Sequence, residues 1–173
     1  MSDPATLNAR VHYRITAVCL GNICRSPMAE AVLRARVEQA GLLHVIVDSA
    51  GTGGWHVGGD ADPRTLATLR ARGYDLDHTA RQLRHDWFAE RDLIVVMDSA
   101  NYRDVLDLRA IAQADTPVRM LRSFDPALAH LVEPHPELDV PDPYYAGGFD
   151  EVLDMIEAAS AGLLAVAHIP PGV

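Results

Sequence analysis

The chain has 173 residues, 49% of them hydrophobic and 23% charged, with a net charge of −9 at pH 7. A nucleic-acid surface needs a basic stripe, and none is present. All 15 basic residues are arginines, which excludes Schiff-base chemistry and lysine-based nucleotide loops, and no apolar run approaches the ~18 residues that cross a bilayer.

Residues 1–13 lack the apolar core of a signal peptide, and with 168–173 they are expected as flexible tails of a single domain spanning 1–173. The run Ile15 to Leu20 reads as a buried parallel strand. Gly21 and Asn22 follow it, and both tolerate positive φ, so the strand ends in a tight turn. Ser26 then reads as an N-cap and Pro27 as the first turn of a helix whose apolar face carries Met28, Val32, Leu33, Val37 and Ala40. Val45 to Val47 is a second strand, and Pro63 to Arg72 a second helix. Leu93 to Met97 is a third strand, Tyr102 to Ala112 a third helix, and Pro117 to Leu121 a weaker fourth strand.

The segment 123–145, SFDPALAHLVEPHPELDVPDPYY, has no clear period and holds five prolines, at 126, 134, 136, 141 and 143. Loops of that length in compact domains tend to be functional or disordered, so it is a candidate site loop. A last helix resumes at Phe149, with Val152, Ile156, Ala159 and Leu163 at helical spacing, and HIPPGV stops it. Strands alternating with helices imply βαβ units. The expected fold class is α/β, a three-layer α/β/α sandwich with a central four-stranded parallel sheet and a phosphate-binding loop between the first strand and first helix.

The only two cysteines lie in AVCLGNICRSPMAE, residues 17–30. A loop between a strand's carboxyl end and a helix's amino end sits where α/β sheets bind ligands. Its backbone N–H groups and the helix dipole suit a tetrahedral anion, and Arg25 adds a fork for two oxygens. The same field favours a thiolate, so Cys19 is expected as a nucleophile. The alternative, two buried spectator thiols, is the commoner fate of isolated cysteines. A metal site is weaker still, since C-x4-C stands alone and the histidines are scattered; no metal or cofactor is expected.

CLGNICRS resembles the Cys-x5-Arg-Ser loop of the low-molecular-weight protein tyrosine phosphatases, and the WHVG and RMLRSFDP stretches resemble actinobacterial members especially. The resemblance continues through DSAGTGGWHVGGDADPRT (48–65), DHTARQL (77–83), VVMDSAN (95–101) and PDPYY (141–145). It implies phosphotyrosine hydrolysis through a phosphocysteine on Cys19, with Leu20, Gly21, Asn22, Ile23, Cys24 and Arg25 around the phosphate. It implies Asp142 as general acid and then base, although an Asp-Pro pair is also an ordinary turn former. Trp55, Tyr144 and Tyr145 would line the cleft, and Asn22, Ser26, Ser49 and His78 would form a supporting network behind it. Leu20 departs from bacterial relatives that carry a polar residue there. Cys24 would be a redox neighbour of Cys19, and Tyr144 and Tyr145 would accept phosphate from a tyrosine kinase.

The expected partners are phosphotyrosine-containing proteins, with no nucleic acid and no membrane. A cytoplasmic location is expected, because two close cysteines make a poor disulfide framework, and the chain is expected to be a monomer. Rival readings are an arsenate reductase on the same scaffold, a non-catalytic phosphotyrosine-binding module and a thiol redox sensor. The first needs further cysteines, and none follows Cys24.

Overall fold

The computed structural model describes residues 12–166 and 169–170. Four parallel strands form one sheet in the order β2-β1-β3-β4, with β1 Tyr13–Cys19, β2 Val45–Gly51, β3 Leu93–Val96 and β4 Val118–Met120. The helices are α1 Arg25–Gln39, α2 Pro63–Ala71, α3 Ser99–Ile111, α4 Pro143–Ala146 and α5 Phe149–Val166. Each expected strand and long helix is present, with boundaries moved by a few residues, as is usual where end turns fray.

Strand side chains alternate between two buried layers. From β1, Ile15, Ala17 and Cys19 enter a core with α1 and α5, while Val18 joins Ile94, Val96 and Val105 on the α3 side. That alternation gives the three-layer sandwich. It also aims Cys19 toward the amino end of α1. Thr16 is the polar exception on the second face, and it is fully satisfied. Its hydroxyl donates to Asp48 at 2.6 Å and accepts from Arg91 at 2.8 Å, and Arg91 reaches Asp48 at 2.9 Å.

Tyr13, expected within the first tail, opens β1, and Ile169 packs against the core. The remainder of the expected tails, 1–11 and 171–173, and residues 167–168 lie outside the described residues.

The aperiodic late segment is built from short 3₁₀ turns over Leu121–Phe124, Pro126–Leu128 and Pro136–Leu138. Leu138 and Val140 are buried, and the Val140 N–H donates to the Met97 carbonyl at 2.7 Å. Ser99 adds two bonds, from its N–H and its hydroxyl, to Asp139 at 2.8 Å each. The segment is therefore a fixed strap over the carboxyl end of β3.

At Gly162, α5 lies directly on the Leu121–Phe124 turn. A Cβ there would sit 1.8 Å from the Phe124 carbonyl oxygen, which is backbone and cannot swing away. Gly→Ala inside an exposed helix gains about 1 kcal/mol from propensity, whereas overpacking costs about 1–3 kcal/mol. Gly162→Ala should therefore lower the urea midpoint at unchanged m value. A rise in the midpoint would mean that α5 is not held this close.

Candidate active site

The site forms where β1 stops. Asn22 takes the left-handed conformation at φ 57°, which turns the chain back toward α1 and points its own N–H at the Cys19 Sγ, 3.3 Å away. Among the described residues the amides of Gly21, Ile23, Cys24, Arg25 and Ser26 have no backbone acceptor. They belong to the loop and the first turn of α1, where helix geometry leaves donors unpaired. Gly51, at the end of β2, lies under this loop. A Cβ on it would be 2.7 Å from the Leu20 carbonyl oxygen and 3.1 Å from the Asn22 nitrogen.

Ser26 is not the N-cap that its sequence position suggests. The helix begins at Arg25, Cys24 holds the cap position, and no side chain caps it. The Ser26 hydroxyl instead turns inward, 3.0 Å from Cys19 Sγ. Asn22 Nδ2 donates to this hydroxyl and to that of Ser49, both at 2.9 Å. The one hydrogen of Ser26 can go to the sulfur or to the Ala50 carbonyl, which is farther at 3.3 Å, and its second lone pair can accept from a Cys19 thiol. Ser49 donates to Glu30 at 2.5 Å. Because the Asn22 carbonyl can only accept, His78 Nε2, 2.7 Å from it, carries a hydrogen. Asn22, Ser26, Ser49 and His78 are all buried behind the cleft wall, where they hold the loop's shape.

Glu30 ends this network. Its other oxygen meets Arg34 at 2.6 Å, and His78 Nδ1 lies 3.7 Å off, too far for a hydrogen bond. Burial pushes the Glu30 carboxyl up, but His78, the Ser49 hydroxyl and Arg34 outweigh it and hold it below the usual carboxylate range.

Arg25 is 2% exposed. Its Nη1 donates to Asp98 at 2.6 Å and to the Val140 carbonyl at 3.0 Å, and its Nη2 lies 3.5 Å from Asp142. Asp98 also caps α3 by accepting from the Asn101 N–H at 2.7 Å. The sequence reading missed it, although an acid directly after a strand, in VVMDSAN, stands at the end of the sheet where ligands bind. Asp142 makes the turn considered for it while keeping an oxygen in the cleft. One oxygen caps α4 through the Tyr144 N–H at 3.1 Å, and the other faces Arg25.

These groups line one cleft of about 440 Å³. Its floor includes Cys19, Gly21, Ile23, Cys24 and Arg25, and its walls are Leu20, Trp55, Asp142, Tyr144 and Tyr145. His56 lines it as well, packed over Gly21, where a Cβ would be 3.1 Å from the imidazole Cδ2. Arg64 braces the Asp142 side. It grips Asp62 at 2.8 and 3.0 Å and covers the rings of Tyr144 and Phe149 at 5.6 and 4.8 Å. Asp62 in turn donates its N–H to the Ile23 carbonyl at 2.9 Å.

The two cysteines are unequal. Burial, with Asp62, Cys19 and Asp142 nearby, pushes the Cys24 thiol up to about 12 despite the opposing Thr65 hydroxyl. Cys24 is thus neutral at physiological pH. Both cysteines are free thiols. Among the described residues no group of three or more His, Cys, Asp or Glu side chains is placed to hold a metal ion.

Glu30→Gln should cost roughly 1.5–3 kcal/mol at pH 7, the scale of a buried charge-assisted bond. A folded value depressed below the unfolded ~4.3 contributes stability that is present above the unfolded value and lost as pH falls through the folded one. The gap between the parent and Glu30→Gln, measured by urea unfolding, should therefore close below about pH 4. A gap constant into acid would remove the charge from the explanation.

A family model described as low molecular weight phosphotyrosine protein phosphatase matches residues 14–169. A low molecular weight protein-tyrosine-phosphatase of Streptomyces coelicolor is 57% identical over 159 residues, covering 90% of this chain and 94% of that protein. Low molecular weight protein-tyrosine phosphatase A of Mycobacterium tuberculosis is 45% identical over 166 residues, covering 94% and 91%. The crystal structure of YfkJ from Bacillus subtilis superposes with a TM-score of 0.78 at 36% identity, over 89% of this chain and 93% of that one.

Proposed function

The chain belongs to the low molecular weight phosphotyrosine protein phosphatase family, and on that premise we propose that it hydrolyses phosphotyrosine in proteins through a phosphocysteine on Cys19. The observation that carries the proposal is the meeting of Cys19, Arg25 and Asp142 in one cleft, although Asp142 comes from the far end of the chain. Asn22 N–H and the Ser26 hydroxyl next to Cys19 Sγ suit negative charge on the sulfur. The thiolate attacks phosphorus while the bond to the phenolic oxygen breaks. Asp142, protonated, gives its proton to that oxygen, since a phenolate with pKa near ~10 leaves better as the phenol. Asp142 as carboxylate then takes a proton from the water that attacks phosphocysteine, which releases phosphate and restores the thiolate.

The unpaired loop amides and the Arg25 fork would bind the equatorial oxygens, whose charge distribution changes most in the transition state. Trp55, Tyr144 and Tyr145 supply apolar walls for a phenyl ring, and the cleft depth favours an aryl ester over a short alkyl one. The same reading takes the chain as a cytoplasmic monomer. Tyr145 is 94% exposed and Tyr144 37%, so Tyr145 is the more accessible acceptor for a kinase partner.

Cys19→Ser should lower aryl phosphate turnover by roughly 10⁴-fold or more while leaving vanadate or phosphate binding in place. Substantial residual turnover would refute the nucleophile. Asp142→Asn should slow esters of weakly acidic phenols by about 10²-fold or more and those of strongly acidic phenols far less. Equal slowing across a leaving-group series would deny Asp142 its acid role.

A further inference from the structure

The cleft continues past Trp55. The Trp55 ring is 73% exposed and stands on Gly53, where a Cβ would fall 1.8 Å from a ring carbon. Glycine at 53 is therefore what admits the ring in this position. On the ring's far side a second hollow of about 270 Å³ opens against Thr52, Leu83, Val105 and Leu108, with Asp104 among its lining. Leu20 and Trp55 line both spaces, so the ring is a partition between them and not an outer wall. Gln82, Leu83 and Leu108 are shared in turn with a third depression of about 600 Å³, whose charged lining is Arg81, Arg84 and His85 with no carboxylate.

The three spaces thus run as one groove, mainly apolar beside the cleft with Asp104 its one carboxylate, and basic beyond it, on a chain whose net charge is −9. Leu20, Trp55 and Val57 along it are exposed at 42%, 73% and 59%, and clustered exposed apolar side chains mark interaction sites. Arg81 is already committed, 3.2 Å from the Ser49 carbonyl and stacked on Trp87 at 4.9 Å. Arg84 is not committed in the same way. It forks onto Asp86 at 3.2 and 3.3 Å, but both side chains are more than half exposed, so solvent screens the pair and a ligand carboxylate can compete with Asp86 for it.

A phosphotyrosine ring entering the cleft end-on leaves its main chain lying across the mouth. We propose that the groove behind Trp55 is the subsite for the substrate chain flanking the phosphotyrosine, taking an apolar side chain in the hollow by Leu20 and Leu108 and an acidic side chain beside Arg84. The assignment rests on the phosphatase reading, and continuity with the cleft commits it to the substrate peptide itself. Specificity then lies in a hydrophobic step followed by a charge step along one flank.

The test compares kcat/KM for p-nitrophenyl phosphate with kcat/KM for phosphotyrosine peptides whose flanks carry Leu or Gly next to the phosphotyrosine and Asp or Lys beyond, on each side in turn. The unsubstituted protein should prefer the Leu peptides by about tenfold on one flank and the acidic over the basic residue by about fivefold, the scale of an exposed ion pair. Arg84→Glu should invert the acidic preference while p-nitrophenyl phosphate, which does not reach past Trp55, turns over as before. Equal kcat/KM across all peptides, or an Arg84→Glu effect that is the same for peptides and p-nitrophenyl phosphate, would overturn the groove. A failure of the unsubstituted protein to hydrolyse p-nitrophenyl phosphate would overturn the phosphatase reading and the groove with it.

Discussion

The buried guanidinium of Arg25 is the constraint around which the site is arranged. A cation taken out of water costs several kcal/mol unless it is paired and hydrogen-bonded, and Arg25 is 2% exposed. Its partners come from three places: Asp98 at the start of α3, the Val140 carbonyl in the late strap, and Asp142 at the start of α4. Satisfying this one charge therefore fixes the strap that delivers Asp142 opposite the loop that carries Cys19. The same residue joins the two halves of the site, which is why a lysine, with a point charge and no fork, is a poor replacement.

The loop's shape has a second, independent support in the Asn22–Ser49–Glu30 network. Each hydrogen in it has one acceptor: Asn22 serves two hydroxyls, and Ser49 serves Glu30. Fully satisfied buried networks of this kind are rigid, whereas one unpaired member costs a full desolvation penalty. The network sets the Ser26 hydroxyl against the Cys19 sulfur, so rigidity and the candidate chemistry share the same atoms. Cys24, five residues on in the same loop, gets no such support and is kept neutral by burial.

Much of this was legible in the sequence. β3 is a continuous apolar run and β1 from Ile15 on is one but for Thr16, because both sheet faces are covered, and the turn after β1 was marked by a glycine and an asparagine able to take positive φ. Cys19, Arg25 and Asp142 were readable together only because several motifs matched one family in order. Local rules failed where tertiary contacts took over. Ser26 has the sequence look of a cap, but its hydroxyl makes inward bonds with Asn22 and Cys19. Asp98 and Glu30 were missed because each looks locally like a helix-end acid, and only folding brings Asp98 to Arg25. The late segment has no period because its order comes from proline-started 3₁₀ turns and two buried apolar anchors, Leu138 and Val140, which leave no repeating pattern.

Gly51 carries this logic to its limit. It offers no functional group, and it touches nothing that reacts, but the backbone of Leu20, Gly21 and Asn22 rests where its side chain would begin. The active site is in that sense moulded around a missing atom. A map of tolerated substitutions would rank this position beside the nucleophile, and a search for chemical groups would pass over it.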